Sequence, residues 1–428
     1  MTVTGQGGAE RAYRLNRGCS CITLDRSALA QALDLEVDTA GFAEQLLVSH
    51  PTLFSAVPVF VPATVLAEMM SIVSAVEAAT RLAGFRTAAL TYAPTIATRD
   101  FGPVGAFMGY DFHVTPDGPQ LIEANTNAGG AFLNAALARA QRACGTTGPR
   151  LAGPQPAATF AEDVIQMFNE EWRRQRGAGQ PACIAIVDDA PAQQHLYPEF
   201  QLAKALLERH GTAVVIADPG EFALIEGRLC VGERPVDLVY NRLVDFALEE
   251  PRHAVLRNAY IDDHVVMTPN PHVHALVADK RNLALFSDVD LLKRWGLAQH
   301  HADVLEVGVP KTVIVSADNA ERLWRGRDNL FFKPAGGHGS KAAYRGDKVT
   351  RKVWADILLG QYVAQAFAAP GVRDIARDDE RITLKVDIRL YTYDGALILA
   401  AARLYQGQTT NMRTPGGGFA PVLVTGEA

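Results

Sequence analysis

The stretch "GYDFHVTPDGPQLIEANTNAGG", Gly109 to Gly130, decides how the rest of the chain is read. Two largely apolar segments flank Pro116-Asp117-Gly118, a tight-turn composition, so the stretch reads as a β-hairpin. With a three-residue turn Thr115 faces Pro119, and counting outward sets Asp111 directly across from Glu123. A two-residue turn would move Asp111 to the other face. Like charges opposite one another weaken a ladder. A cation between them reverses that sign, and an oxygen-rich cluster suits Mg2+. Asn125 adds a neutral oxygen on the same face, Asn127 follows it, and Gly129-Gly130 lets backbone N–H groups approach an anion. The plainer alternative is the solvent-facing polar side of an edge hairpin.

Composition limits the rest. The chain has 428 residues, 48% hydrophobic and 21% charged, enough for a large core and for two to three domains. A net charge of −6 lacks the basic face of a nucleic-acid binder but leaves room for a local basic pocket. The five cysteines include Cys19 and Cys21 but form no C-x-x-C, and no H-E-x-x-H is present. Free thiols in a reducing compartment are the expectation. No apolar leader opens the chain and no run approaches the ~20 apolar residues of a membrane span, so a cytoplasmic protein without a membrane partner is expected.

The middle of the chain has the clearest order. "ACIAIVDD" (182–189) reads as a buried parallel strand, "EFQLAKALLERHG" (199–211) as a helix, and "TAVVIADP" and "VDLVYNRL" as further strands. That sequence of elements indicates βαβ units in an open α/β sheet. Arg242, in "YNRL", falls at a strand end, where ligands of such sheets bind. The Gly- and Pro-rich "GTTGPRLAGPQPAA" (145–158) is the expected linker, giving regions 1–150, 151–270 and 271–428. The last region reads as α+β on antiparallel strands, with "YDG" a tight turn. His272, His274 and the pair His300-His301 read as polar decoration.

Two further clusters carry chemistry. "NLFFKPAGGHGSK" ends an apolar strand in Lys333 and enters a loop with Gly336, Gly337 and Gly339, suited to phosphate by point charge and backbone donors. It is neither a Walker A loop nor a G-x-G-x-x-G fingerprint. In "KVDIRLY", alternation puts Lys385, Asp387 and Arg389 on one face, with Arg403, Asn411 and Arg413 further on. Such a face is either a solvated ion-pair ladder or a phosphate and carboxylate clamp.

Taken together these segments resemble the ATP-grasp superfamily of carboxylate–amine ligases, over most of residues 105–428. Asp279-Lys280 resembles the first ATP lysine, and "FFKPAGGHGS" the second, Lys333, with the phosphate loop Gly336, Gly337, His338, Gly339 and Ser340. "YVAQAF" is similar to the adenine hinge, which implies Gln365, Ala366 and Phe367 as nucleotide contacts. "VDIRLYTYDGALILAAAR…TTNMRTPGGG" resembles the glutathione synthetase and amino-acid ligase branch. The hairpin resembles the motif that holds Mg2+, two ions in the family, which implies Asp111, Glu123 and Asn125 as ligands. That motif ordinarily comes last, and here it comes first. The resemblance therefore implies a circularly permuted ATP-grasp fold, α/β and α+β, with a pre-ATP-grasp-like open α/β domain.

The implied activity is an ATP- and Mg2+-dependent ligation. A substrate carboxylate attacks the γ-phosphate, an amine attacks the resulting acyl phosphate, and Arg389 and Arg403 stabilise the transferring charge. Asn127, Gly129, Arg242, Asn411 and Arg413 are the candidate substrate contacts. Small carboxylate and amine substrates and a possible homodimer are the implied partners. The alternatives are a small-molecule kinase on the same fold and a non-catalytic nucleotide-binding module.

Overall fold

In the computed structural model the described residues are 6–19, 24–140, 151–152, 159–336, 342–377, 380–411 and 413–426. The first part supplies β1 (Val59–Pro62), the helix Ala63–Thr80 and the hairpin strands β2 (Met108–Thr115) and β3 (Gly118–Asn125). The middle part supplies β4 (Cys183–Val187), β5 (Ala213–Ala217), β6 (Leu238–Asn241) and β7 (Val266–Thr268). The last part supplies β8 (Thr312–Ile314), β9 (Leu330–Pro334), β10 (Tyr344–Arg345) and β11 (Tyr362–Ala366). It ends with β12 (Gly371–Arg377), β13 (Glu380–Tyr393), β14 (Ala396–Tyr405) and β15 (Gly418–Thr425).

These strands form three sheets that matter for the site. The largest runs β1-β15-β14-β13-β2-β3, with β12 on β13; it is antiparallel except where β1 meets β15. Alternation along β13 explains its two faces: Leu384, Val386, Ile388 and Leu390 are buried in the core, leaving Lys385, Asp387 and Arg389 for the other side. The turn Asp394-Gly395 has φ of 45° and 77°, the positive values a two-residue hairpin requires. Helix Ala63–Thr80 has the length and apolar character of a membrane span. Here Met69, Ile72, Val73, Val76 and Ala79, spaced for one helical face, bury it against the large sheet.

The second sheet, β7-β6-β4-β5, is parallel, as the βαβ reading expects. The third, β8-β11-β9-β10, is small and antiparallel and packs against helix Arg351–Leu359. The expected linker 145–158 lies outside the described residues except for 151–152, whose backbone pairs with β15. Cys19, Cys183 and Cys230 are free thiols; Cys21 and Cys144 lie outside the described residues.

The hairpin corrects one expectation and keeps its consequence. Thr115 pairs with Gly118, so the turn is the two residues Pro116 and Asp117, not three. Strict alternation would then have separated Asp111 from Glu123. A β-bulge between the pairs Phe112–Leu121 and Asp111–Glu123 leaves Ile122 over, and Asp111 faces Glu123 after all. Leu121 and Ala124 both stay in the core because the extra residue absorbs the change of parity. The unpaired Ile122 carbonyl accepts a hydrogen bond from Lys333 Nζ at 2.6 Å.

Deleting Ile122 regularises the strand and keeps Glu123 on its face, but takes this acceptor from a buried lysine. The expected loss in urea unfolding is about 1–3 kcal/mol. Combining the deletion with Lys333→Met removes the ammonium that was stranded, so the two effects should be clearly less than additive.

Candidate active site

The exposed face of the large sheet and the small sheet β8-β11-β9-β10 enclose a cleft of about 290 Å³. Twelve residues singled out in the sequence line it: Asp111, Glu123, Asn125, Lys280, Lys333, Gln365, Ala366, Phe367, Lys385, Asp387, Arg389 and Arg403. They come from the hairpin, from the turn before helix Asn282–Phe286, from β9 and β11, and from β13 and β14.

No ion is needed to explain the Asp111–Glu123 pairing. Arg389 grips Asp111 with two bonds, both 2.6 Å, and Arg403 reaches it at 2.9 Å. Lys280 Nζ lies 3.3 Å from Glu123 Oε1. Burial works against the Asp111 carboxylate, yet the two guanidinium groups hold it below its ordinary pKa. Arg403 also bonds Asp387 at 3.2 Å, which accepts further bonds from His113, Tyr405 and Thr410. Against its burial these donors, His113 first, draw Asp387 down to about 2.

Lys333 bridges the two walls. Besides the Ile122 carbonyl it donates to Gln365 Oε1 at 2.8 Å. Burial, and then repulsion from Lys280, bring its pKa down to about 8. Gln365 is buried and its Nε2 has no hydrogen-bond partner among the described residues. Arg345 stacks over the Phe367 ring, 4.6 Å from its centroid. The lining carries six cations, Lys280, Lys333, Arg345, Lys385, Arg389 and Arg403, against the three carboxylates Asp111, Glu123 and Asp387. An excess of three positive charges in a partly enclosed cleft calls for a polyanion.

The remaining expected residues fall elsewhere. Gly336 is exposed at the end of the strand, and Gly337, His338, Gly339 and Ser340 lie outside the described residues. Asn127 is not on the cleft: its Nδ2 donates to the carbonyls of Arg242 and Leu243, at 2.8 and 3.2 Å. The Gly129 carbonyl accepts from Tyr391, and a Cβ there would stand 2.4 Å from Leu196 and 3.0 Å from Arg242. Arg242 is buried beyond β6, bonded to the Tyr240 hydroxyl, and its Nε has no hydrogen-bond partner among the described residues. Asn411 and Arg413 are exposed and do not reach the cleft.

His272 and His274 are no loop decoration, for both stand on helix Pro271–Val277. His272 is bonded to the Ala97 carbonyl, and His274 stacks on Phe246 at 3.6 Å. Sequence reasoning missed His113, Arg345 and Tyr405 as lining residues. His113 had a signal, standing two residues from Asp111 on the same face.

No protein-family model and no curated protein matches the chain. Solved structures do. A glutathione synthetase-like effector (GSS30) from Globodera pallida superposes with a TM-score of 0.56 at 14% identity, covering 94% of this chain and 98% of its own. A putative gamma-glutamylcysteine synthetase from Methylobacillus flagellatus gives 0.48 at 10% identity, covering 86% and 89%. The ATP-grasp ligase PsnB, solved with a minimal precursor, Mg and ADP, gives 0.27 at 14% identity, covering 57% and 89%. The chain thus shares the fold of the glutathione synthetase-like effector.

The depressed pKa of Lys333 has a measurable consequence. Its cation is half lost at about 8, so affinity for inorganic triphosphate should fall as pH rises from 7 to 9. Lys333→Arg keeps the charge and should flatten that dependence, as read by calorimetric titration.

Proposed function

We propose that the chain is an ATP- and Mg2+-dependent ligase that joins a carboxylate to an amine through an acyl phosphate. The observation that carries this is the convergence of both candidate lysines, the hairpin oxygens, the hinge and the two arginines on one cleft with a positive excess. Lys280 and Lys333 would hold the phosphates, and Gln365, Ala366 and Phe367 the base. Arg389 and Arg403 would offset charge on the transferring group, their orientation fixed by Asp111 and Asp387. The phosphate loop 336–340 belongs to the proposal on its sequence alone.

The donor set fits Mg2+. Glu123 and Asn125 offer hard oxygens to the cleft, and Asp111 a third that its arginines now occupy. Bound there, the ion would neutralise charge on the phosphates. Arg242, with Asn127 and Gly129 beside it, would meet the substrate carboxylate at the end of β6, while Asn411 and Arg413 have no support from their position. The pairing of β2 with β13 supports the permuted order, in which region 151–270 is inserted between parts of one ATP-grasp unit.

The test is ADP release from Mg-ATP with a panel of carboxylic acids and hydroxylamine as surrogate amine. A hydroxamate from one acid is the expected result; ADP with a stable phosphorylated product would make the protein a kinase instead. Glu123→Ala should lower Mg-dependent turnover at least about 10²-fold, and near-normal turnover would remove Glu123 from the metal site.

A further inference from the structure

A second concentration of charge lies at the carboxyl ends of the parallel strands. β4 runs into Asp188 and Asp189, β5 into Asp218, and β6 into Arg242 and then Asp245. Between them stands His253, fully buried at the end of the short turn Pro251–His253. Its Nδ1 is 2.8 Å from Asp245 Oδ2 and its Nε2 is 3.0 Å from Asp189 Oδ1. Ionised carboxylates only accept, so both ring nitrogens must donate and the ring is an imidazolium.

We propose that His253 is a positioning residue, whose imidazolium cross-links the loops 188–190 and 242–250 and so fixes Arg242 and Phe246 beside the segment that follows hairpin strand β3. This rests on the reading of Arg242 as the contact for the substrate carboxylate. The segment is tied at its start by Asn127, which donates to the Arg242 and Leu243 carbonyls, and by the buried Leu243 and Leu248, and His253 holds Asp245 between these anchors. Arg242 N donates to the Val187 carbonyl at 2.8 Å, and Asp245 Oδ2 also accepts from Glu250 N at 2.8 Å. Phe246 carries the effect to the cleft wall, for it stacks on His274, whose Nδ1 meets the hydroxyl of Thr126 at 2.9 Å. Thr126 directly follows Asn125.

The surrounding charges agree with a cationic ring. Burial disfavours the imidazolium, but Asp189 and Asp245 outweigh it and raise the pKa of His253. Burial likewise opposes the Asp245 carboxylate, and the backbone N–H of Glu250, the His253 ring and the backbone N–H of Glu249 keep it low. Arg252, from the same turn, sits 3.2 Å from Asp189 and 2.6 Å from Asp218. Asp188, also near His253 and Arg242, is pushed by burial to about 6 and titrates on the acid side. The sign follows: a raised histidine pKa keeps the cross-link intact in acid, and the link is lost as pH rises through that raised value.

The experiment measures the pH profile of kcat and of KM for the acid and for ATP, in the full chain and in His253→Gln. The wild-type KM for the acid should rise on the alkaline side; the KM for ATP also rises there as Lys333 loses its proton, but by the same factor in wild type and variant, and kcat differs between the two by less than about twofold. His253→Gln should give a flat profile, about tenfold above wild type at pH 6. A variant that keeps the wild-type profile, or one in which the KM for ATP moves equally, overturns the proposal. Hydrogen exchange needs no turnover: the amides of 242–250 should lose protection with rising pH in the wild type and stay unprotected in the variant. If no acid is turned over, the ligase reading fails while exchange still decides the cross-link. Should His253→Gln not fold, Asp245→Asn removes one arm and should move the KM inflection to lower pH; an unmoved inflection counts against the link. The ligand atoms of Asp189, Glu250 and His253 lie within 4.8 Å of one another, so zinc is titrated too. Zinc that competes with the ring proton should bind more weakly as pH falls, whereas stoichiometric binding with no proton release would overturn the imidazolium.

Discussion

One surplus residue in a strand governs the site. In β3 Leu121 and Ala124 are both buried in the core, three positions apart, where a regular strand repeats every two. Ile122 absorbs the mismatch. Because it has no partner in the ladder, its carbonyl is free to face the cleft and meets Lys333 on the opposite wall. The bulge thus turns a core strand into a bracket: Glu123 and Asn125 are presented on the cleft side, and the nearest lysines of the other wall, Lys280 and Lys333, are held to it. A buried carboxylate at the Glu123 position would have been the cost of a regular hairpin with the same turn.

The charges gathered there are arranged so that the protein folds without a ligand yet favours one. Each carboxylate of the lining has a cation against it: Arg389 and Arg403 on Asp111, Lys280 on Glu123, Arg403 on Asp387. Removing Asp111 would leave the Arg389 guanidinium without its carboxylate while Arg403 keeps Asp387, a larger penalty than the pair itself is worth. What remains is positive. Lys333 registers the excess, since its depressed pKa reflects burial and the repulsion of Lys280 together. A polyanion relieves both terms at once, whereas a monocarboxylate would leave most of the excess in place.

The sequence showed most of this arrangement because period-two alternation is a strong signal. It separated Asp387 and Arg389 from Ile388 and Leu390 on β13, and it showed the parallel strands of the middle region as short apolar runs. It did not show where alternation breaks. The two-residue turn and the bulge are each one-residue shifts of opposite effect, so a three-residue turn without a bulge predicts the same pairing of Asp111 with Glu123. Arg345 was not found because what brings it to the cleft is the pairing of β10 with β9, a two-residue strand with no pattern of its own. Asn127 was placed by extending the strand's alternation past Asn125, where the strand ends; there its amide joins the loop after β6 instead.

The order of segments puts little strain on such a site. β2 reaches β13 across more than half the chain, and the ladder between Ile388–Thr392 and Met108–Phe112 is as regular as one made by sequence neighbours. Hydrogen bonds depend on position and register, and the entropy of closing a long connection grows only slowly with its length. Helix Gln6–Gly18 also packs beside β15, where the Thr425 hydroxyl meets the Gly8 carbonyl at 3.1 Å. In a fold where the first described helix and the last strand touch, a chain opened at one loop and joined at another builds the same cleft. The proposed permutation therefore asks nothing of the chemistry. It changes which elements must wait for a distant partner during folding: the hairpin that carries Glu123 is made early in the chain but gains its neighbour only when β13 arrives.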